Sequence, residues 1–280
     1  MSAAIIATTQ GRLVPMQDGQ IQRFPRSAWR DELALVSWAG YDGIEWIHDE
    51  FAEGDNPLGQ PGGHHVLATA VRDAGTRVLS GCYDDVMNVA LWAERADWGP
   101  TLARIAVVAG NLAALGAGHL VLPLMRQVDI RDESVRQTAA RFVREVVGVT
   151  KAHGLPVHLE TALRSADLLR VLDLIGEGSC RATFDTGNLV QFGYKPMDEL
   201  LPLLPRIGSV HIKDSTPTGG TVPLGEGDVD FSSVIAALLD SGYRGLWTVQ
   251  GARRNGQPDF EVGREYAQFL RGFLAGATNS

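Results

Sequence analysis

Four short apolar runs in the second half of the chain each end in a side chain that can bind a cation or move a proton. They lie at residues 156–160 (PVHLE), 182–185 (ATFD), 209–214 (SVHIKD) and 245–250 (GLWTVQ). Their polar residues are Glu160, Asp185, His211 and Gln250, which are 25, 26 and 39 residues apart. A strand with its following helix needs about 30 residues. The spacing therefore indicates successive strands of one parallel α/β fold, whose carboxyl ends meet at a common mouth.

Two carboxylates, one imidazole and one amide oxygen make a ligand set that suits one divalent metal ion, such as Mn²⁺, Co²⁺, Zn²⁺ or Mg²⁺. Such a site leaves open positions for two neighbouring oxygens of a hydroxy-carbonyl substrate. The ion would act as a Lewis acid and stabilise an enediolate. The alternative is that each acid only caps a helix or faces solvent. That alternative explains one such residue well, but not three at equivalent positions of consecutive strands.

The rest of the chain supplies the elements that must position these side chains. Strand character occurs at residues 3–9, 43–47, 77–82 and 120–123, and then in the four runs above. Apolar periodicity, capping residues and glycine stops predict helices at 27–39, 64–74, 101–115, 131–153, 196–204, 231–241 and 258–274, and another that Ser165 caps. Strict alternation means parallel pairing, and eight pairs predict an α/β fold of the (β/α)8 TIM barrel type, a single domain over residues 1–280. An open doubly wound sheet is the alternative, but the first turn (TTQGRL, 8–13) lacks its glycine-rich phosphate motif.

Composition and charge exclude several classes of protein. The chain has 280 residues, of which 45% are hydrophobic and 21% charged, as in an ordinary soluble protein with a sizeable core. A net charge of −8 disfavours binding to nucleic acid or to an anionic membrane, because both require clustered positive charge. Cys82 and Cys180 are too few for a disulfide framework, and we expect buried free thiols. No signal peptide or membrane-spanning run is present in the sequence, which predicts a cytoplasmic protein.

Several stretches resemble the sugar phosphate isomerase/epimerase superfamily, also described as xylose isomerase-like or AP endonuclease family 2 TIM barrels. The likeness covers nearly the whole chain and rests on YDGIEWI (41–47), HLE (158–160), FDTGN (184–188), VHIKD (210–214), PLGEGDVDF (223–231) and the GYRG turn (242–245) before the last strand. The DTGN and HIKD forms are most similar to ketose-phosphate 3-epimerases. The resemblance implies a sugar or sugar phosphate as substrate, assembly as a homodimer or homotetramer, and metal ligands at Glu160, Asp185, His211 and the position of Gln250.

Gln250 departs from the family pattern, in which this position is a glutamate. The resemblance implies that the two glutamates, on the fifth and eighth strands, work on opposite faces of the substrate carbon. Gln250 can offer an amide oxygen to a metal or substrate, but it cannot act as a base near neutral pH. Glu160 alone could still serve a 1,2-isomerisation or start a β-elimination. Glu45 is the candidate for a replacement base, because strand alternation puts it opposite Trp46 and toward the barrel mouth. An ordinary ion-paired acid is the other interpretation of Glu45.

Six further residues are candidates for binding the substrate. Lys213 and His158 share the strand faces of His211 and Glu160, and Asn188 follows Asp185 by one helical turn. Arg253 follows the last strand, where barrels often bind phosphate, and Arg12 lies in the loop after the first. Glu226 lies in the glycine-rich loop expected to fold over the mouth. Five of the six also have a structural interpretation: a core histidine for His158, a loop contact for Glu226, an ion pair for Lys213 and a solvated cation for each arginine.

The sequence thus predicts a metal-dependent isomerase or epimerase of a sugar or sugar phosphate, with Glu160 as both base and ligand. One alternative is a dehydratase of the same superfamily that acts on a keto-cyclitol or a related hydroxy-carbonyl compound. Another is a barrel that binds a sugar without catalysing a reaction. The missing acid of the last strand is the reason to consider it. Retention of Glu160, Asp185 and His211 disfavours the second alternative, since a binder has no need of all three.

Overall fold

The computed structural model describes residues 4–49, 54–93, 96–176 and 178–276. Its strands are β1 (Ile6–Thr9), β2 (Gly43–His48), β3 (Val78–Tyr83), β4 (Leu120–Leu124), β5 (Val157–Thr161), β6 (Cys180–Asp185), β7 (Ile207–Ile212), β8 (Asp214–Thr216), β9 (Gly220–Val222) and β10 (Leu246–Val249). Eight of them close into a parallel barrel in the order β1-β10-β7-β6-β5-β4-β3-β2. The predicted (β/α)8 TIM barrel is therefore confirmed, with β10 as its eighth strand.

Helices alternate with the barrel strands and cover their outer surface. They are α1 (Trp29–Trp38), α2 (His64–Asp73), α3 (Gly99–Ala114), α4 (Glu133–Lys151), α5 (Ser165–Ile175), α6 (Thr186–Gln191), α7 (Pro196–Leu203), α8 (Phe231–Asp240) and α9 (Asp259–Gly276). Glycine ends several of them, as at Gly40 after α1, where φ is +91°. Within the described ranges, none of these helices combines the length and hydropathy needed to cross a bilayer.

Three local features differ from the predictions. The glycine-rich loop that carries Glu226 is preceded by a short antiparallel hairpin, β8–β9, which was not among the predicted strands. Ser165 does not cap α5 but lies in its first turn, where its N–H and hydroxyl donate to Glu199 at 2.7 and 2.8 Å. The first strand also begins at Ile6, later than expected, and the predicted start at Ala3 lies outside the described residues.

The inside of this barrel is polar. Barrels of this type are usually filled by layers of branched apolar side chains, and here the large apolar groups pack between strands and helices instead. Trp46, for example, packs against Phe24 and Trp29 with ring centroids 5.8 and 5.6 Å apart. Within the barrel, the Ser209 hydroxyl lies 2.9 Å from Thr183 Oγ1 and 2.9 Å from His158 Nδ1. A hydrogen-bonded polar interior thus lies directly beneath the mouth.

Asp214 holds together the loop that follows β7. Its carboxylate is fully buried and accepts four backbone N–H bonds, from Ser215 (2.9 Å), Gly225 (2.8 Å), Gly227 (2.9 Å) and Val229 (3.3 Å). A Cβ on Gly227 would lie 2.2 Å from the carboxylate, so only glycine fits there. These contacts give the physical reason that VHIKD and PLGEGDVDF occur together: the acid of the first stretch folds the second.

We expect Asp214→Asn to lower the free energy of unfolding by about 2–4 kcal/mol, because its amide nitrogen would face two N–H donors. Urea denaturation measures the change. Asp228→Asn is the matched control, since Asp228 is exposed in the same loop, and it should change stability by less than about 0.5 kcal/mol. Equal losses in the two variants would contradict the role given to Asp214.

Candidate active site

The structure brings three of the predicted residues together at the carboxyl ends of β5, β6 and β7. Glu160, Asp185 and His211 each offer one ligand atom, and these atoms lie within 4.8 Å of one another. The arrangement follows from the sheet, because β6 lies between β5 and β7 and Asp185 is directly opposite His211. All three side chains are buried. We call them the ligand cluster.

The ligand cluster contains polar atoms that lack hydrogen-bond partners. Asp185 Oδ1 caps α6 by accepting the N–H groups of Gly187 (2.9 Å) and Asn188 (2.7 Å). Asp185 Oδ2 and both ring nitrogens of His211 have no hydrogen-bond partner among the residues described. Leaving such buried groups unpaired is costly. The donor set and its orphaned atoms therefore fit a divalent cation of the kind that the sequence predicts.

The charge balance of the cluster also favours a cation. Glu45 Oε1 lies 3.1 Å from His211 Nε2, and Glu160 Oε2 lies 3.5 Å from His211 Nδ1, as ion pairs without hydrogen-bond alignment. Burial opposes charge on the imidazole, but Glu45 and Glu160 outweigh it and raise the pKa of His211 to about 9. Burial raises the pKa of Glu160 to about 7, with His211 opposing the rise and Asp185 adding to it. Three acids thus surround one imidazole.

Glu45 does not occupy the position of a replacement base. Its side chain is fully buried, and its Oε2 accepts a hydrogen bond of 2.8 Å from Ser80 Oγ. Its other oxygen lies against the ring of His211, and Glu45 is not on the lining of the mouth. A carboxylate behind a ligand histidine fixes the ring orientation. The sequence predicted Glu45 at the barrel mouth, whereas the structure places its side chain behind His211 and off the lining of the cavity.

Asn188 connects Glu160 to Lys213. The Asn188 amide donates from Nδ2 to Glu160 Oε1 at 2.8 Å, and its Oδ1 accepts from Lys213 Nζ at 2.8 Å. The lysine orients the amide, so that its N–H points at the carboxylate. The two residues thereby hold Glu160 in place and favour its ionised form.

A cavity of about 400 Å³ opens above the ligand cluster. Five of the residues expected from the sequence line it, namely Arg12, Glu160, Asn188, Lys213 and Gln250. Arg12 is almost fully buried and donates to the Gly251 carbonyl at 3.0 Å and to Gln22 Oε1 at 3.2 Å. The volume suits a small polar molecule the size of a sugar.

Two predicted substrate-binding residues lie away from this cavity. Arg253 donates to the Val14 carbonyl at 2.8 Å and pairs with Asp259, so it fastens the first loop to the start of α9. Glu226 is exposed and pairs with Arg254 at 3.3 Å. Charge and loop position predicted the mouth for both residues, whereas in this structure neighbouring groups of opposite charge hold their side chains away from the cavity, and their roles as substrate contacts stay predictions.

His158 lies deeper in the barrel than a substrate could reach from the mouth. Its ring stacks on His119 with centroids 4.1 Å apart, and its Nδ1 contacts Ser209. Burial lowers the pKa of His158 to about 2 and that of His119 to about 4, so both rings are neutral. The structural interpretation of His158, a hydrogen-bonded core histidine, fits these contacts.

A family model described as a xylose isomerase-like TIM barrel matches residues 33–272. The chain belongs to this family. Among curated relatives, it is 28% identical over 211 residues to 2-epi-5-epi-valiolone 7-phosphate 2-epimerase of Actinoplanes sp., covering 75% of this chain and 77% of the relative. It is 24% identical over 180 residues to an inosose dehydratase of Bacillus thuringiensis, covering 56% of this chain and 59% of that relative.

Solved structures of xylose isomerase-like barrels share the fold over nearly the whole chain. One from Mycobacterium smegmatis, in complex with magnesium, superposes with a TM-score of 0.74 at 20% identity and covers 99% of each chain. At this identity the likeness establishes the fold alone, so the roles of individual residues rest on the geometry of this chain.

Several residues of this xylose isomerase-like barrel line the cavity without having been singled out in the sequence. Asp84 follows β3 and Asp49 follows β2, Gln22 and Arg131 come from loops, and Arg126 begins a short 3₁₀ helix (Arg126–Val128). Asp84 comes directly after its strand, where residues of a barrel mouth lie. The sequence could therefore have indicated Asp84 as a site residue from the position of the acid alone. Nothing in the local sequence indicates that the long first loop returns Gln22 to the mouth.

Proposed function

We propose that this xylose isomerase-like barrel is a metal-dependent isomerase or epimerase of a sugar or sugar phosphate. The reaction begins with removal of the proton on the carbon next to a carbonyl. The observation that carries the proposal is the position of Glu160, which belongs to the ligand cluster and also lines the 400 Å³ cavity. One carboxylate can thus meet both the metal and the substrate proton.

In this mechanism, Glu160 accepts the proton. The electron pair of the broken C–H bond forms a carbon–carbon double bond, the electrons of the carbonyl double bond move to its oxygen, and an enediolate results. Asn188 and Lys213 keep the Glu160 carboxylate aimed, and Glu45 keeps the ring of His211 in position. A divalent ion held by Glu160, Asp185 and His211, with Gln250 beside them, would supply Lewis acidity to the substrate oxygens. Mn²⁺, Co²⁺, Zn²⁺ and Mg²⁺ all suit these donors.

The cations around the cavity favour a substrate that carries an anionic group. Lys213, Arg126 and Arg131 are among the residues that line it. Arg126 is exposed and adopts the left-handed conformation with φ +57°, which is uncommon for arginine and typical of functional sites. Guanidinium groups bind phosphate through paired hydrogen bonds. The phosphate in the name of the Actinoplanes relative's substrate agrees with this chemistry.

A dehydratase is the second candidate, because an inosose dehydratase is among the relatives. A dehydratase would use the same first step at Glu160 and would then expel a hydroxyl group from the neighbouring carbon. A barrel that only binds a sugar is the third, and the intact ligand cluster disfavours it.

Proton exchange in D₂O tests the proposal. The metal-loaded protein is incubated with L-ribulose 5-phosphate, L-xylulose 5-phosphate, their unphosphorylated ketoses, 2-epi-5-epi-valiolone 7-phosphate and inosose, and ¹H NMR follows each C–H next to the carbonyl. We expect deuterium to enter at that carbon, one equivalent of metal by elemental analysis, and faster exchange with phosphorylated compounds. Product identity separates isomerase, epimerase and dehydratase. Absence of metal binding and of exchange with every compound would leave the binding protein as the better account.

A further inference from the structure

Epimerisation needs a proton donor on the face of the carbon that Glu160 does not serve. Gln250 lines the cavity but has no ionisable group. Besides Glu160, the acids on the cavity lining in the described part of the chain are Asp49, Asp84 and Asp129. If the chain supplies its own second acid, it comes from these three.

Asp129 and Asp49 are both engaged in other contacts. Asp129 pairs with Arg131 Nε at 2.7 Å and also accepts the Arg131 N–H. An acid held by a cation in this way is kept ionised and is a poor proton donor. Asp49 Oδ2 accepts the Phe24 N–H at 2.8 Å and so fastens the first loop, whereas its Oδ1 has no hydrogen-bond partner among the residues described, so no donor orients that oxygen toward the cavity.

Asp84 has the contacts expected of a proton carrier. Its carboxylate is buried apart from a small part that reaches the cavity. It accepts hydrogen bonds from Gln22 Nε2 (2.7 Å) and Cys82 Sγ (3.1 Å), and no lysine or arginine pairs with it among the residues described. Gln22 is held in turn by Arg12 at 3.2 Å, so Asp84 is fixed by neutral donors. Neutral donors position the carboxylate without forcing it to stay ionised.

The barrel order places Asp84 across the mouth from His211 and at a different position around the mouth from Glu160. Asp84 follows β3, which is separated from β7, the strand of His211, by three strands in either direction and from β5, the strand of Glu160, by β4 alone. Asp84 and Glu160 would therefore approach a substrate held at the cluster from two different positions around the mouth. Burial raises the pKa of Asp84 to about 6, with the bonds from Gln22 and Cys82 opposing the rise, so both protonation states are accessible near neutral pH.

We infer that Asp84 is the second acid–base residue, taking the role for which Gln250 lacks the chemistry. This inference rests on the proposed function. Glu160 removes the proton and becomes the neutral acid, and the electron pair of the broken C–H bond forms the enediolate. The O–H of protonated Asp84 then gives its proton to the opposite face of the same carbon, and the carbonyl reforms. Solvent returns a proton to Asp84 and removes one from Glu160, which balances the cycle.

The test separates exchange from epimer formation in D₂O, with L-ribulose 5-phosphate and 2-epi-5-epi-valiolone 7-phosphate as probes. Glu160 alone gives labelled starting material, whereas Asp84 is needed for the labelled epimer. We expect Asp84→Asn to slow epimer formation by about 10²–10⁴-fold while exchange into the starting epimer persists. The double variant Asp84→Asn/Gln250→Glu should regain epimer formation, because the carboxylate returns at the last strand.

Asp85→Asn is the matched control, because Asp85 lies in the same short helix (Asp84–Asn88) but contacts His48 at 2.9 Å and does not line the cavity. It should keep the wild-type ratio of epimer to exchange. The inference is overturned if Asp84→Asn forms the epimer at the wild-type rate, if exchange and epimer formation fall together, or if wild type exchanges without epimerising. Absence of exchange in wild type would instead defeat the proposed function itself.

Discussion

Glu160→Gln should lower the rate of proton exchange by about 10²–10⁴-fold. Glutamine has the shape of glutamate, and its carbonyl oxygen can still accept the 2.8 Å bond from Asn188. It has no carboxylate to take the substrate proton. The fold should persist, because the change leaves the side-chain volume almost unaltered. Deuterium incorporation by ¹H NMR measures the rate, and circular dichroism checks the fold.

Glu261→Gln serves as the control, since Glu261 is exposed on α9, far along the chain from the ligand cluster. It should exchange at the wild-type rate. A Glu160→Gln protein that exchanges as fast as this control would show that another group removes the proton. Metal content should be measured in both proteins, because Glu160 is also a proposed ligand and its loss can act through the metal.

The barrel and the ligand cluster could be predicted because they follow from short-range patterns. Each of Glu160, Asp185 and His211 stands at the end of a short buried strand. Once parallel strands alternate with helices, the closed sheet must bring these ends together. Gln250 joins them at the mouth for the same reason, since its strand β10 pairs with β7. Strand parity likewise placed Lys213 on the cavity.

Loop residues could not be placed in the same way, because tertiary partners decide where they point. Arg253 and Glu226 had suitable charge and suitable positions after the last strands. Their neighbours Asp259 and Arg254 hold them outside the cavity, and nothing in the local sequence marks those partners. The sequence also does not show how deep in the barrel a side chain lies. Strand alternation predicts that Glu45 points inward, but only its contact with His211 shows that it lies behind the ligand cluster. The position of the Asp84 carboxylate depends on a hydrogen bond from Gln22, which lies in a loop distant in sequence.

The second large effect concerns Asp185, whose two oxygens do different things. Oδ1 caps α6, and Oδ2 is the buried atom without a hydrogen-bond partner in the described structure. Asp185→Asn can keep its carbonyl oxygen on the two N–H groups and so retain the cap. Its amide nitrogen would then replace the free oxygen, and an N–H group cannot bind a cation. The variant therefore separates the structural role of this residue from ligation.

Added Mn²⁺, Co²⁺, Zn²⁺ or Mg²⁺ should stabilise the wild-type protein after treatment with a chelator, by about 2.7 kcal/mol at a concentration 100 times Kd. For a chain of this size, thermal unfolding should show a rise in Tm of about 5 °C. Asp185→Asn should lose this response while keeping its metal-free Tm near that of wild type. Asp230→Asn is the matched control: Asp230 caps α8 through the Ser233 N–H at 3.0 Å but lies on the surface. It should respond to metal as wild type does. An unchanged response in Asp185→Asn would remove this residue from the ligands, and a wild-type protein indifferent to all four ions would show that the ligand cluster binds none of them.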